Sequence, residues 1–205
     1  MDLFKQNIFD ESFELGDGFI TISFFLKYRK GKRTPQAIDP VPKQSFRYGI
    51  RVKGGVKPIT KTVNLYGKNV VKEYYALDEL YTIKYEDSLV KHNEEYIAEQ
   101  IKLKLLQYPE VKKHLPFTSL IAVEKLVFIF APIKSMKANE KKTIEAGGFV
   151  YKYTKPDMTD NLPKLLFDAM DGLIYENDSR ICKENNIYKV YGNTPGVFIK
   201  IKAKI

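Results

Sequence analysis

Five consecutive apolar residues, Leu126-Val-Phe-Ile-Phe130, lie inside the run Ile121 to Ile133 and constrain the fold more than any other stretch. Successive side chains of a strand point to opposite faces, so a run without alternation needs cover on both. That pattern predicts a central strand. Phe19 to Tyr28, rich in β-branched and aromatic residues, predicts another. Two closing strands are expected at about Ser179 to Val190 and Val197 to Ala203, around a Gly192 to Gly196 turn. Arg47 to Lys53 and Pro58 to Tyr66 flank Gly54-Gly55 and are expected to pair as a hairpin. Residues 1–17 carry no periodic pattern and are expected to be loosely held, and Lys137 to Lys142 to be a solvated loop.

Two helices interrupt this strand-rich plan. Between Tyr85 and Tyr108 the residues Leu89, Tyr96, Ile97, Ile101 and Leu105 recur near helical spacing, and Pro109 ends the pattern. From Asn161 to Met170 the spacing is clearer. Leu162, Leu165, Leu166, Ala169 and Met170 share one arc, while Lys164, Asp168 and Asp171 lie opposite. Asp160 or Asn161 can cap its start, Pro163 fits the first turn, and Gly172 suits the position just past the end. Strands and helices mix without strict alternation, so the expected class is α+β, a mixed sheet with helices packed on it.

Charge is unevenly placed. From Asp157 to Asp178 the chain holds six carboxylates and one lysine, a net −5, so the remainder of this +9 chain stands at +14. A basic body attracts phosphates, and a compact group of acids can hold the divalent cation that phosphodiester hydrolysis uses. Asp157 and Asp160 precede the helix and Asp178 follows it. Were they to converge, they would form an oxygen-rich site suited to Mg2+, with Lys164 one turn into the helix placed to meet a phosphate. The competing reading makes Asp157 and Asp160 turn and cap residues and the other acids a solvated helix face. Neither a zinc pair, a catalytic triad nor a phosphate-binding glycine loop is spelled by His92, His114, Cys182 or the glycines. A lone cysteine rules out an internal disulfide and points to a reducing, cytoplasmic setting. No apolar run reaches the roughly 18–20 residues that would span a bilayer, so no membrane partner is expected.

The ordered motifs Lys155-Pro-Asp-Met-Thr-Asp-Asn-Leu-Pro-Lys164, Phe167-Asp-Ala-Met-Asp-Gly172 and Glu176-Asn-Asp-Ser-Arg-Ile181 resemble the signature of the RusA family of Holliday junction resolvases. Pro40-Val-Pro-Lys43-Gln-Ser-Phe-Arg47 and Pro195-Gly196-Val-Phe-Ile-Lys-Ile201 resemble its early and closing stretches. The resemblance implies a RusA-like fold over 38–205, with 1–37 as an N-terminal extension holding a strand and a basic segment. It implies Asp157, Asp160 and Asp178 as metal-binding acids and Lys164 as the catalytic lysine. By the same resemblance the chain is expected to be a Mg2+-dependent homodimer that nicks opposed strands of four-way DNA junctions in recombination and repair, and several relatives are of phage or prophage origin. Lys43 and Arg47 of the resembling stretch, with Arg29, Lys30 and Arg33 of the basic run, are expected to contact DNA phosphates. The chain departs from the pattern in three places. Met158 and Thr159 stand where one residue is usual, Asn177 replaces an acid, and Arg180 replaces Gln. A non-catalytic DNA-binding protein of the same fold, or a nuclease acting on flaps or other branches, are the alternatives.

Overall fold

The computed structural model describes residues 10–31, 36–43, 47–65, 68–85, 88–158 and 162–205. In chain order the strands are β1 Ser12–Gly16, β2 Phe19–Leu26, β3 Tyr28–Arg29, β4 Ala37–Ile38, β5 Arg47–Val52, β6 Ile59–Leu65 and β7 Lys68–Tyr74. They continue as β8 Leu80–Tyr85, β9 Ile121–Phe130, β10 Val150–Tyr151, β11 Ile181–Glu184, β12 Ile187–Tyr191 and β13 Gly196–Lys204. The helices are α1 Ser88–Leu105, α2 Pro109–Lys112, α3 Ala138–Glu145 and α4 Leu162–Met170. They form two compact units, one of residues 1–43 with 88–205 and one of 44–87.

The larger unit is built on a mixed sheet in the order β1-β2-β13-β9-β12-β10, with β11 also paired to β9. β13 is antiparallel to both neighbours, while β11 and β12 run parallel to β9. This is the expected α+β arrangement, and β9 is central. Leu126 to Phe130 are all buried because the sheet is covered on both faces. On one face Phe24, Leu26, Leu126, Phe128 and Ile199 pack with Ile97 and Ile101 of α1 and Leu165, Leu166 and Met170 of α4. On the other, Val127, Ile129, Val190 and Phe198 form a smaller cluster with Phe25, Phe149 and Tyr188. Among the described residues no helix is long and apolar enough to cross a membrane.

Several local expectations are corrected. Residues 12–16 are ordered as β1 against β2, joined by Asp17-Gly18 with both φ angles positive. An Asp-Gly pair of that geometry matches the twist of a tight hairpin. As an edge strand of half-buried and exposed residues, β1 leaves no apolar period to read. Ala138 to Lys142 belongs to a helix rather than a loop, with Lys137 at its N-cap. Glu140 accepts the Lys137 N–H at its start, and Ile144 is its one buried residue, too little to make a pattern. The long strand expected at 179–190 is broken at Asn185-Asn186, where Asn186 has φ +50. Pro109, expected to end a helix, also opens α2 as its first residue.

The smaller unit corrects the hairpin expectation as well. β5 pairs with β8 and β6 with β7, both antiparallel, so the strands either side of Gly54-Gly55 do not pair with each other. Only two residues separate β6 from β7 in sequence, and closing that loop costs least entropy.

Candidate active site

The side chains of α1 hold the edge of β2 and β3 by imitating a strand. Asn93 Oδ1 accepts the Arg29 N–H at 2.7 Å and its Nδ2 donates to the Arg29 carbonyl at 3.0 Å. Two turns on, Gln100 makes the same pair of bonds with Lys27, at 3.0 and 2.7 Å. Asn93 is fully buried yet fully occupied, its Nδ2 also reaching the Leu89 carbonyl. These bonds fix the helix, and with it Glu94.

Lys43 sits between Glu94 and α4. Its ammonium is 2.6 Å from Glu94 Oε1 and 2.5 Å from Asp168 Oδ2. Burial works to lower the Lys43 pKa, but hydrogen bonds and charge from Asp168 and Glu94 outweigh it and hold the amine firmly protonated. Asp168, on the polar arc of α4, is thus half-buried beneath a lysine rather than solvated. The Lys43 side chain is only 16% exposed, so its loss should be felt. Lys43→Met is expected to lower unfolding free energy by roughly 1–3 kcal/mol, below the cost of breaking a fully buried pair because water still reaches the site. Denaturant titration checks this, and an unchanged midpoint would show both ion pairs to be spent on solvent.

Beyond α4, Gly172 takes the left-handed φ of +68 expected after the helix, and the chain turns back at once. The return is pinned by two backbone bonds, from Phe117 N–H to the Ile174 carbonyl and from Glu176 N–H to the Phe117 carbonyl. Tyr175 is completely buried and donates its hydroxyl to the Phe167 carbonyl at 3.0 Å. Above it gather three acids. Burial, then Asp178, then Asp168 push the Asp171 carboxyl up, partly offset by the Asp178 N–H and by Lys43. Burial, then Asp171, Asp178 and Asp168 raise the Tyr175 hydroxyl likewise. One carboxylate oxygen of Asp171, Oδ1, is buried with no hydrogen-bond partner. Like charges crowded around an orphaned oxygen are relieved by a cation, and hard oxygen donors suit Mg2+.

Asp157 is exposed and faces a different neighbour. Lys189 of β12 donates to the Thr154 and Pro156 carbonyls at 2.6 Å each, pinning the loop that presents Asp157. Burial and Lys152 lower the Lys189 amine, and Asp157 supports it. Lys152 also donates to the Thr154 hydroxyl at 2.6 Å and to the Tyr191 hydroxyl at 3.1 Å. Lys164 is exposed on the first turn of α4. Asp160 lies outside the described residues, as do Asn161 and Arg33. Among the described residues, no three His, Cys, Asp or Glu are close enough to ligate one ion. Of the basic residues, Arg29 places its guanidinium 4.9 Å from the Tyr96 ring centroid, Lys30 is exposed, and Lys43 is engaged by its two acids. The Arg47 side chain lies outside the description.

Asp178 and Asp168 thus both act on Asp171, and Asp157 acts on Lys189. Residues 74–202, more than half of the chain and the whole of this acidic region, match the family model described as endodeoxyribonuclease RusA. The chain belongs to the RusA family. No individual curated protein matches it. RusA membership makes the chain a DNA-cutting nuclease of a family that acts on branched junctions. Within that RusA assignment, Glu94, Asp168, Asp171 and Lys189 are residues the motif reading passed over. Asp168 and Asp171 stood inside the quoted Phe167 to Gly172 stretch, yet a helical wheel put them on its polar side. Glu94 offered no signal, because its partner Lys43 lies far upstream.

Proposed function

We propose that the chain is a Mg2+-dependent resolvase that cuts four-way DNA junctions by paired nicks in opposed strands. What carries the reading is the coincidence of the ordered acid motif with the RusA match, over a place where the fold crowds carboxylates. Asp157, Asp160 and Asp178 would hold the ion, with Asp171 beside Asp178. When bound, the ion supplies Lewis acidity at the scissile phosphate and a lowered pKa for the attacking water. Asp171 lies within the electrostatic reach of Asp178 and adds negative charge beside it. Lys189 restrains the backbone before Asp157. Lys43 pairs with both Glu94 and Asp168 and offsets one of their two charges, so less negative charge repels an incoming phosphate. Lys164 is free of the helix core and supplies positive charge to the transferring phosphate or its leaving oxygen. Arg29, Lys30, Arg33 and Arg47 would follow the phosphates of the arms.

One such set of acids serves one scissile phosphate. Resolution needs two opposed cuts, so a twofold homodimer matches a junction of near-twofold symmetry. The expected result on a supercoiled cruciform is linear product with Mg2+, little released nicked circle, and no cutting in chelator. A monomer by light scattering that releases mostly nicked circles would favour a flap or other branch nuclease. Junction binding with no cutting in any divalent metal would favour a non-catalytic DNA-binding protein. In cells the reading places the protein in recombination and repair, in the cytoplasm of its host.

A further inference from the structure

The ribbon β6–β7 in the smaller unit has two unlike faces. Its register sets Ile59 opposite Tyr74, Lys61 opposite Lys72, and Val63 opposite Val70. Directly opposed residues share a face, so these six side chains point the same way, with Lys68 at the far end. Glu73, the only acid in the ribbon, pairs with Thr60 and points to the other face, alongside Asn64 and Asn69. On the lysine face Ile59 is 60% exposed, and Val70 and Tyr74 are 40% exposed. Lys61 leans toward the Tyr74 ring, 5.9 Å from its centroid.

Like charges directly opposed across two strands destabilise the pairing, and a two-stranded ribbon has little stability to spare. A face that keeps two opposed lysines and no acid among open aliphatic and aromatic groups is matched by a polyanion. A second copy of the same face would bring lysines onto lysines, so self-association through it is disfavoured. We propose that this face of β6–β7 binds a duplex arm of the DNA substrate, Lys61, Lys68 and Lys72 meeting phosphates and the apolar residues lying against sugars and base edges. The geometry is apt, since a two-stranded ribbon fits the B-DNA major groove, about 12 Å wide. Seven residues of strand extend about 23 Å, or roughly seven base-pair steps. The proposal deepens the DNA-cutting reading and rests on it.

The test is the salt dependence of binding, by fluorescence anisotropy, for wild type, Lys61→Glu/Lys72→Glu and Lys61→Arg/Lys72→Arg. A four-way junction and a linear duplex of equal length serve as probes. The expected result is weaker binding by the glutamate variant on both probes, with the slope of log affinity against log salt shallower by about 2. The arginine variant should keep the wild-type slope. Hydroxyl-radical protection should shrink by roughly seven nucleotides along an arm in the glutamate variant alone. An unchanged slope and footprint would overturn the proposal and point to an acidic protein partner instead. Reading the slope on duplex as well keeps this result separate from junction selectivity, whose absence would count against the resolvase reading only.

Discussion

Asp178→Asn is expected to stop metal-dependent nicking while leaving junction affinity equal or higher. The change removes one of the negative charges that push the Asp171 carboxyl up. If Asp178 holds the proposed metal, its loss removes the Lewis acid, and less repulsion eases phosphate approach. The return after α4 is held by the backbone bonds between Phe117 and Ile174 and between Glu176 and Phe117, which the substitution leaves alone, so its shape should hold. Asp160→Asn should behave alike. Single-turnover cutting in Mg2+, measured beside binding in chelator, checks both. Wild-type cutting by both variants would sink the metal assignment, whereas lost binding would show Asp178 to be structural.

The second large effect is expected at Lys164. Its side chain is exposed while its neighbours Leu165, Leu166 and Phe167 are buried, so Lys164→Ala removes charge without touching the core. If the lysine stabilises charge that develops at the reacting phosphate, the single-turnover rate should fall by ~10²–10³-fold. Junction affinity and the apparent Mg2+ requirement should stay put, which separates this variant from the aspartates. A normal rate would reduce Lys164 to a helix-surface residue. Lys164→Arg keeps the charge but spreads it over a fork of donors, and partial rescue is the expected outcome.

Elements whose burial is total were legible in the chain, and those held by polar bonds were not. Leu126 to Phe130 announced the central strand because both faces of β9 are covered, and α4 announced itself through one unbroken apolar arc. β1 and α3 each bury too little to leave a period, so their residues read as an extension and a loop. The smaller unit misled for another reason. Gly54-Gly55 does turn the chain, but a turn does not say which strands pair beyond it, and β5 finds β8 across the whole of β6 and β7. In the candidate site, motif order pointed to Asp178 but gave no hint of the acids around it. Asp168 looked solvated until Lys43, separated from it by most of the fold, lay across it. Glu94 is half of the same arrangement and is invisible to any local pattern. Long-range ion pairs leave no spacing rule to read.

The place of β13 between β2 and β9 has a consequence for how the protein comes into being. Phe24 of β2 meets Ile199 of β13, and Val127 of β9 meets Phe198, so the middle of the sheet joins segments from opposite reaches of the sequence. During synthesis β2 can pair with β1 almost at once, and the ribbons of 44–87 can close locally, but the other edge of β2 stays open until β13 emerges. Ile20, Ile22, Phe24 and Leu26 line that waiting strand, which is the profile of a sticky intermediate. Non-local pairing of this kind also slows the final step relative to helical proteins of similar size. Yield in a host should therefore track chaperone supply and growth temperature more than the native stability of the finished sheet.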